Sequence, residues 1–462
     1  MSAATSPAAL IAPMSPIARP SDAAPPVTPD STSAGGGVPP PRTDHATRLR
    51  DLTPYQWKSG LAAWLGWFFD GLELHLYTLV ATPLVIELLH AASAADPNVT
   101  EKSAYIQAAF LVGWALGGAF FGRLGDLLGR SRALALTVLT YALCTGLCAF
   151  SQTWWQLMFF RFVAALGIGG EWAVGASLLV ETWPRAWRPW LAAVLQSGVN
   201  LGILFAAAAI ALLSSLPHPP PNRFVFLIGV VPALLVFWIR RRVPEPPNWQ
   251  RAHSTGEKPR VRELFRGGIL RTTIDTTAVC ALSLSAWWLF IFWHAQHLRR
   301  LLVDEGLAPA EVTRRLSAAF FLVIAVSIAG NYLAGAFAKW IGNRLAIVVM
   351  FLGLFGSMAG AFIVPRSFGA LALFWVPLVG LFSGVFALFT TYLPPLFPTL
   401  LRTTGAGFCY NIGRLAAAFA SISFGLLAPV GDFRTALLVS SLLALAAALW
   451  AWRLPDDSAA LA

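Results

Sequence analysis

Charge is what this chain has least of. Only 12% of its 462 residues are Asp, Glu, Lys or Arg, against 57% hydrophobic residues, and the mean hydropathy is +0.65. A water-soluble domain that apolar has no surface to show solvent, so the composition excludes one and points to the lipid bilayer. Cysteine is scarce too. Cys144, Cys148, Cys280 and Cys409 each lie inside an apolar block, where a thiol acts as a small buried apolar group, so neither a disulfide nor a metal site is expected from them. No Gly-x-x-x-x-Gly-Lys-Ser/Thr loop occurs, which leaves an ion or solute gradient as the energy source for any work done. No His-Glu-x-x-His or Cys-x-x-Cys pattern offers a metal site, and no nucleophile, base and oxyanion set suggests an enzyme, so no cofactor is expected.

The net charge of +11 would suit a nucleic-acid partner, but its distribution argues against one. If the N-terminus is cytoplasmic, most Lys and Arg fall on cytoplasmic segments, the bias that orients membrane proteins. The apolar residues fall in blocks of about 20, the length a helix needs to cross a hydrocarbon core of about 30 Å. Spans are predicted near 57–89, 103–121, 133–151, 154–180, 190–213 and 223–240, then near 271–297, 314–338, 345–364, 369–393, 403–428 and 433–452. The expected organisation is a cytoplasmic tail at 1–50, a six-helix half at 51–240, a cytoplasmic linker at 241–270, a second half at 271–453 and a short tail at 454–462. Residues 1–50 are rich in Pro, Ala, Ser, Thr and Gly and cannot bury a core, so disorder is expected there. Pro13 and Pro16 interrupt the tail's apolar run, which excludes a cleavable signal peptide.

The halves repeat. Gly117, Gly122, Asp126 and Gly129 recur as Gly330, Gly335, Lys339 and Gly342, all displaced by 213 residues. Pro184 and Arg188 recur as Pro398 and Arg402, displaced by 214. Two landmarks at nearly one offset, in corresponding loops, imply two related six-helix halves and an all-α membrane fold of twelve spans.

The loop after the second span reads Gly122-Arg-Leu-Gly-Asp126-Leu-Leu-Gly129-Arg130-Ser-Arg132, in which small residues let backbones approach and Asp126 can pair with arginines or helix ends. Glu181-Thr-Trp-Pro184-Arg185-Ala-Trp-Arg188 follows the fourth span, and Pro244-Glu245-Pro246-Pro247-Asn248-Trp249 the sixth. Together these resemble the signature loops of the major facilitator superfamily. The resemblance implies that Asp126, Arg130, Glu181, Arg185, Arg188 and Glu245, with Lys339 and Arg402 at the repeated positions, latch the halves and gate access. Lys339 replaces the acidic residue of the first half, so a symmetric latch is not expected.

Within the spans the charges are few. Asp70, Glu73 and Tyr77, at i, i+3 and i+7, share one face of span one near mid-membrane. Charges at that depth cost a few kcal/mol, so they must face a cavity or a partner. Two close carboxylates away from water resist double ionisation, which suits proton carriage, although a structural ion pair with an arginine is the alternative. Span four contributes Arg161 and Glu171, of which one could neutralise Asp70 or Glu73 and the other relay a proton. Span eleven places Arg414 roughly 18 Å into the helix, where a guanidinium can clamp a carboxylate, with Tyr410 and Asn411 beside it. A salt bridge from Arg414 to Glu171 or Asp70 is the competing expectation. Asn200 occupies the repeat position of Arg414, and Gln196 lies one turn before it. Trp293 and His294, near the end of span seven, are expected in the interfacial aromatic belt, while Trp287 or Trp288 could wall the pathway.

Asp70-Gly71 with Glu73, the run Gly169-Gly170-Glu171-Trp172, and Gly407 to Arg414 resemble the branch of the superfamily that holds sialate and monocarboxylate proton symporters. That resemblance implies a monomeric carrier in the cell membrane, with both termini cytoplasmic, moving a small organic anion with a proton. A carrier of a neutral sugar or polyol is one alternative, and a transporter-like sensor without flux another.

Overall fold

A computed structural model describes residues 48–92, 96–214, 222–256, 259–427 and 433–456. Almost all of the expected tail at 1–50, and residues 457–462, lie outside them. The described residues form helices and no strand. The first six spans are α1 (Pro54–Leu89), α2 (Pro97–Leu128), α3 (Arg130–Cys148), α4 (Trp154–Thr182), α5 (Arg188–Ser214) and α6 (Ala233–Arg242), the last preceded by a 3-10 stretch, Asn222–Val230. After the short helix Pro247–Ser254 come α7 (Gly267–Asp304), α8 (Pro309–Ile341), α9 (Asn343–Phe362), α10 (Phe368–Tyr392), α11 (Arg402–Leu427) and α12 (Phe433–Ala451). Among the described residues nine of these are long and apolar enough to cross a membrane. With α1, α11 and the segment ending in α6 they make the twelve spans expected.

Local chemistry sets the ends. Proline opens α1, α2 and α8, where its missing N–H costs nothing, and the Thr53 and Thr153 side chains accept from Gln56 N and Gln156 N at the starts of α1 and α4. Two spans depart from the continuous helices expected. The sixth is broken at Pro232, which supplies no N–H to carry a helix through. The tenth contains a π turn, Leu371–Trp375, just before Pro377, and the extra residue relieves the clash a proline makes with the carbonyl four residues earlier.

The repeat seen in the sequence is a repeat in space. Gly129 and Gly342 end α2 and α8 at φ 109° and 80°, in the left-handed region that disfavours a side chain. A Cβ on Gly117 would strike the Leu166 carbonyl of α4, and one on Gly330 the Leu381 carbonyl of α10. A Cβ on Gly122 would lie 2.9 Å from Thr403 O of α11, and one on Gly335 2.8 Å from Pro189 O of α5. The halves therefore meet along two equivalent seams, α2 on α11 and α8 on α5. Within the first half α4 is the most enclosed helix, with every residue from Gly167 to Thr182 buried.

Candidate transport site and latch

The α2–α11 seam is antiparallel and keeps its register in four-residue steps. Gly122 faces Thr403 and Thr404, Gly118 faces Gly407 and Asn411, and Trp114 faces Arg414. A side chain at 118 would occupy the place of the Asn411 amide, so glycine there lets the helices close and brings Trp114 onto Arg414. The Arg414 guanidinium lies 4.0 Å from the Trp114 ring centroid and 4.6 Å from that of Tyr410. Tyr410 is stacked on Trp172 of α4, centroids 4.1 Å apart and planes 8° from parallel, and Trp114 meets Trp288 of α7 edge-on at 6.1 Å. One file of rings and a guanidinium thus crosses between the halves.

Packing against ring faces stabilises a guanidinium without a counter-charge. Among the described residues Arg414 makes no ion pair. Its Nη1 donates to Asn411 Oδ1 at 3.1 Å, and its Nε has no hydrogen-bond partner. Asn411 is itself oriented by donating Nδ2 to Gly407 O at 2.8 Å. A flat cation packed against ring faces, bonded at its edge to Asn411 and in no ion pair among the described residues, can receive a carboxylate.

The carboxylates of α1 part company. Glu73 is ion-paired with Arg161 and accepts from Thr145 Oγ1 at 2.8 Å; both charged side chains are buried, and Arg161 also lies over the Phe110 ring at 4.4 Å. Asp70 faces Glu171 instead, with Arg414 within electrostatic range. Glu171 is fully buried, and its carboxylate rests against Gly66 in space that a Cβ would take. Among the described residues neither Glu171 oxygen has a hydrogen-bond partner, nor has Asp70 Oδ1. The i, i+3 spacing suggests Asp70 and Glu73 as one pair. Helix α4 divides them, because Arg161 and Glu171 lie about 15 Å apart along it and each draws one carboxylate.

At the end of the spans that carries the loop motifs, a buried network joins the halves. Arg130 donates to Glu181 through Nε and Nη2 at 3.1 and 2.9 Å, to Asp126 Oδ1 at 2.9 Å, and to the carbonyls of Gly125 and Thr399, both at 2.6 Å. Asp126 accepts from Thr403 N, Thr404 N and Thr404 Oγ1 at 3.3, 2.9 and 2.6 Å, a carboxylate on the positive end of α11. Arg402 donates to Glu181 at 2.8 Å. Glu245 accepts from Ser131 N and Arg132 N at 3.1 and 3.0 Å, at the start of α3, and Trp249 Nε1 donates to Asp126 O at 2.9 Å. Burial raises the Glu245 carboxyl above its ordinary range, while those backbone donors act to lower it.

The second half carries no copy of this network. Lys339 stands where Asp126 does, Asn343 where Arg130 does and Pro395 where Glu181 does. The helix start that faces Lys339 begins Arg188-Pro189, and Pro189 has no N–H for an acidic residue to accept from. Lys339 and Arg185 are exposed and outside the network, and Arg188 donates to Val180 O at 2.6 Å. Asn200 donates to Ser327 Oγ of α8 at 2.9 Å, and Gln196 is half-buried. The Tyr77 side chain lies outside the described residues. His294 is buried, stacked on Phe290 and bonded to its carbonyl at 2.9 Å, so it belongs to the helix packing and not to an interfacial belt.

Sequence reasoning passed over Trp114, Thr145, Thr403, Thr404 and Ser327. The repeat offset carried a signal for two of them, since Trp114 and Ser327 are 213 residues apart.

Twelve spans in two related halves, with buried charges at the seam, define a polytopic membrane protein of transporter architecture. Residues 63–366 match the Major Facilitator Superfamily, and the chain belongs to it. It is 29% identical over 379 residues to a Cupriavidus pinatubonensis protein named "Probable 4-methylmuconolactone transporter", covering 81% of this chain and 84% of that one. It is 27% identical over 368 residues to the sialic acid transporter NanX of Escherichia coli, covering 79% and 85%. Among solved structures, the proton:xylose symporter XylE shares the fold at a TM-score of 0.70 and 17% identity, covering 87% of this chain and 96% of that one.

Proposed function

We propose that the chain is a proton-coupled symporter of a small organic anion, of the monocarboxylate or sialate-like kind. The observation that carries this reading is Arg414, a half-buried cation held by aromatic faces and Asn411 with, among the described residues, no carboxylate paired to it. Membrane-embedded arginines need a partner, and a substrate carboxylate supplies one. The names of the relatives, an acid and a lactone transporter, support an organic acid.

In this reading Arg414 clamps the anion while Asn411 and Tyr410 fix the guanidinium. Asp70 and Glu171, side by side with unmet acceptors, hold the proton, because two carboxylates together out of water cannot both carry charge cheaply. Glu73 and Arg161 brace α1 against α4. Asp126, Arg130, Glu181, Arg402 and Glu245 form the gate, and the bonds they make between the halves support reading this arrangement as its shut form. The halves 51–240 and 271–453 rock about the site, joined by a cytoplasmic linker at 241–270, in a monomer in the cell membrane with both termini inside.

The test is uptake of labelled small acids into proteoliposomes under an imposed pH gradient. Acceleration by an inwardly directed proton gradient, lost in Asp70→Asn or Glu171→Gln while acid exchange persists, supports the reading. Uptake indifferent to pH with every acid, or a sugar flux that survives Arg414→Ala, would refute it.

A further inference from the structure

Helix α3 brings one hydroxyl to each of the two carboxylate sites. Thr145 donates to Glu73, the acid of α1 that pairs with Arg161. Tyr141, one turn earlier on α3, is fully buried. A Cβ on Gly167 of α4 would lie 2.9 Å from Tyr141 N and 3.1 Å from Tyr141 Cβ, which fixes the height of Tyr141 on α4. The two helices are antiparallel, because Thr145 reaches the Arg161 end of α4 through Glu73 while Tyr141 lies at Gly167. Glu171 is one turn, about 6 Å, beyond Gly167 on the same face. A helical tyrosine leans toward the N-terminus of its own helix, and on α3 that is the direction of Glu171.

The Tyr141 hydroxyl accordingly lies beside the Glu171 carboxylate, with Asp70 and Glu73 within electrostatic range. On the other side, a Cβ on Gly66 of α1 would strike Glu171 Oε1, and Asp70 follows Gly66 by one turn on that face. Glu171 is thus flanked by a phenol and by a second carboxyl. Among the described residues Tyr141 OH, both Glu171 oxygens and Asp70 Oδ1 are left without a fully formed hydrogen bond. A buried phenol needs an acceptor, and an ionised carboxylate only accepts, so the two answer one another. The charged and ionisable groups facing this cluster, among the described residues, are Asp70 and Glu73 of α1, Glu171 of α4 and Arg414 of α11. Helix α2 and the segment 222–242, which also pack on α3, carry their charges at their ends.

We infer that Tyr141 is a positioning residue for the proton step: its hydroxyl donates to Glu171 and holds that carboxylate charged, so the transported proton sits on Asp70, the acid within range of Arg414. One proton enters on Asp70 and leaves from it, and Tyr141 keeps its own. The inference rests on the symport reading, in which Asp70 and Glu171 share a proton.

The test uses the full-length protein in a mild detergent and a hydrophobic carbodiimide, which modifies protonated carboxyl groups. Peptide mass spectrometry locates the modified residue at each pH. In the wild type, modification should fall on Asp70 in preference to Glu171. Tyr141→Phe keeps the ring and removes the donor, so Glu171 becomes a second place for the proton. Modification should then spread to Glu171, and the pH at which the pair is half modified should rise, by up to about one unit. Thr145→Val removes the hydroxyl at Glu73 and should leave both readouts in place. Modification of Glu171 in preference to Asp70 in the wild type, an unchanged pattern and midpoint in Tyr141→Phe, or the same change in Thr145→Val would overturn the assignment. In proteoliposomes the pH of half-maximal uptake should rise with the midpoint in Tyr141→Phe. Wild-type uptake indifferent to pH, with the modification pattern as expected, would remove the symport reading and leave the place of Tyr141 standing.

Discussion

Asn200 is bonded to Ser327 at the place where, across the repeat, Arg414 lies over Trp114. The two seams present the same positions with different chemistry: a neutral hydrogen bond at 2.9 Å on one side and a stacked cation on the other. A twofold-related backbone thus carries a one-sided charge. The neutral seam pairs its two polar side chains with each other, whereas the cationic seam carries a guanidinium with no ion pair among the described residues. The latch is biased in the same sense, with Asp126, Arg130 and Glu181 opposed by Lys339, Asn343 and Pro395.

Arg414→Lys tests whether planarity matters as well as charge. A lysine keeps the charge but loses the fork and the ring stacking. Losing one charge-assisted hydrogen bond costs about 2 kcal/mol, so the Kd for a transported acid should rise roughly 30-fold, measured by titration calorimetry on purified protein. Tyr410→Phe keeps the stacked ring and should change the Kd by less than about threefold, while Tyr410→Leu removes stacking worth about 1 kcal/mol and should raise it about fivefold. Equal tolerance of Lys and Arg would mean that the cation acts at a distance.

Much of this was legible in the sequence because a membrane limits the options. Twelve apolar blocks can only be helices, and glycines repeated at one offset can only mark repeated contacts. The network of Asp126, Arg130, Glu181 and Arg402 was readable because these are charges in short motifs at fixed spacing. Partner choice was not. Helical periodicity places Asp70 and Glu73 on one face, but which carboxylate meets Arg161 depends on how α4 slides past α1, and that is set by contacts such as Gly66 against Glu171. Trp114 stayed hidden because one tryptophan among 19 in an apolar chain carries no local mark of its role.

Gly129 and Gly342 share a left-handed backbone, and Gly129 has a close neighbour besides. At Gly129 a Cβ would also fall 2.4 to 2.6 Å from the Glu245 carboxylate, which caps α3. Gly129→Ala therefore pays for the conformation and displaces the cap, and should destabilise by roughly 2 to 3 kcal/mol. Gly342→Ala leaves that cap in place and carries the conformational cost, roughly 1 to 2 kcal/mol. Thermal unfolding in detergent should rank them in that order, and a reversed order would show that Glu245 does not lean on Gly129.

Asp126 is central to the proposed latch because it accepts three hydrogen bonds from the first turn of α11. Asp126→Asn removes the charge opposite that helix end and the ion pair to Arg130, so the shut form should lose about 2 kcal/mol or more relative to the open one. Arg402→Gln removes a single bond to Glu181, which Arg130 still holds, and should shift the balance less. Labelling of a cysteine introduced at exposed Arg185 and one at buried Ala406 separates the two effects. The first should react equally in all proteins, and the second faster in Asp126→Asn than in Arg402→Gln. Unchanged labelling at 406 in both would show that this network does not hold the halves shut.

Glu73 and Arg161 are buried together, so neither should be dispensable alone. Removing one partner leaves an uncompensated charge among apolar groups, which costs about 3 to 5 kcal/mol, whereas removing both leaves two neutral amides that can bond to each other and to Thr145. Glu73→Gln and Arg161→Gln should each lower the unfolding temperature sharply, and the double variant should recover a large part of the loss. If Glu73 braces α1 and carries no proton, the double variant should also keep acceleration of uptake by a pH gradient, which Asp70→Asn abolishes. A stable double variant that has lost that acceleration would move the proton from the Asp70 and Glu171 pair to Glu73.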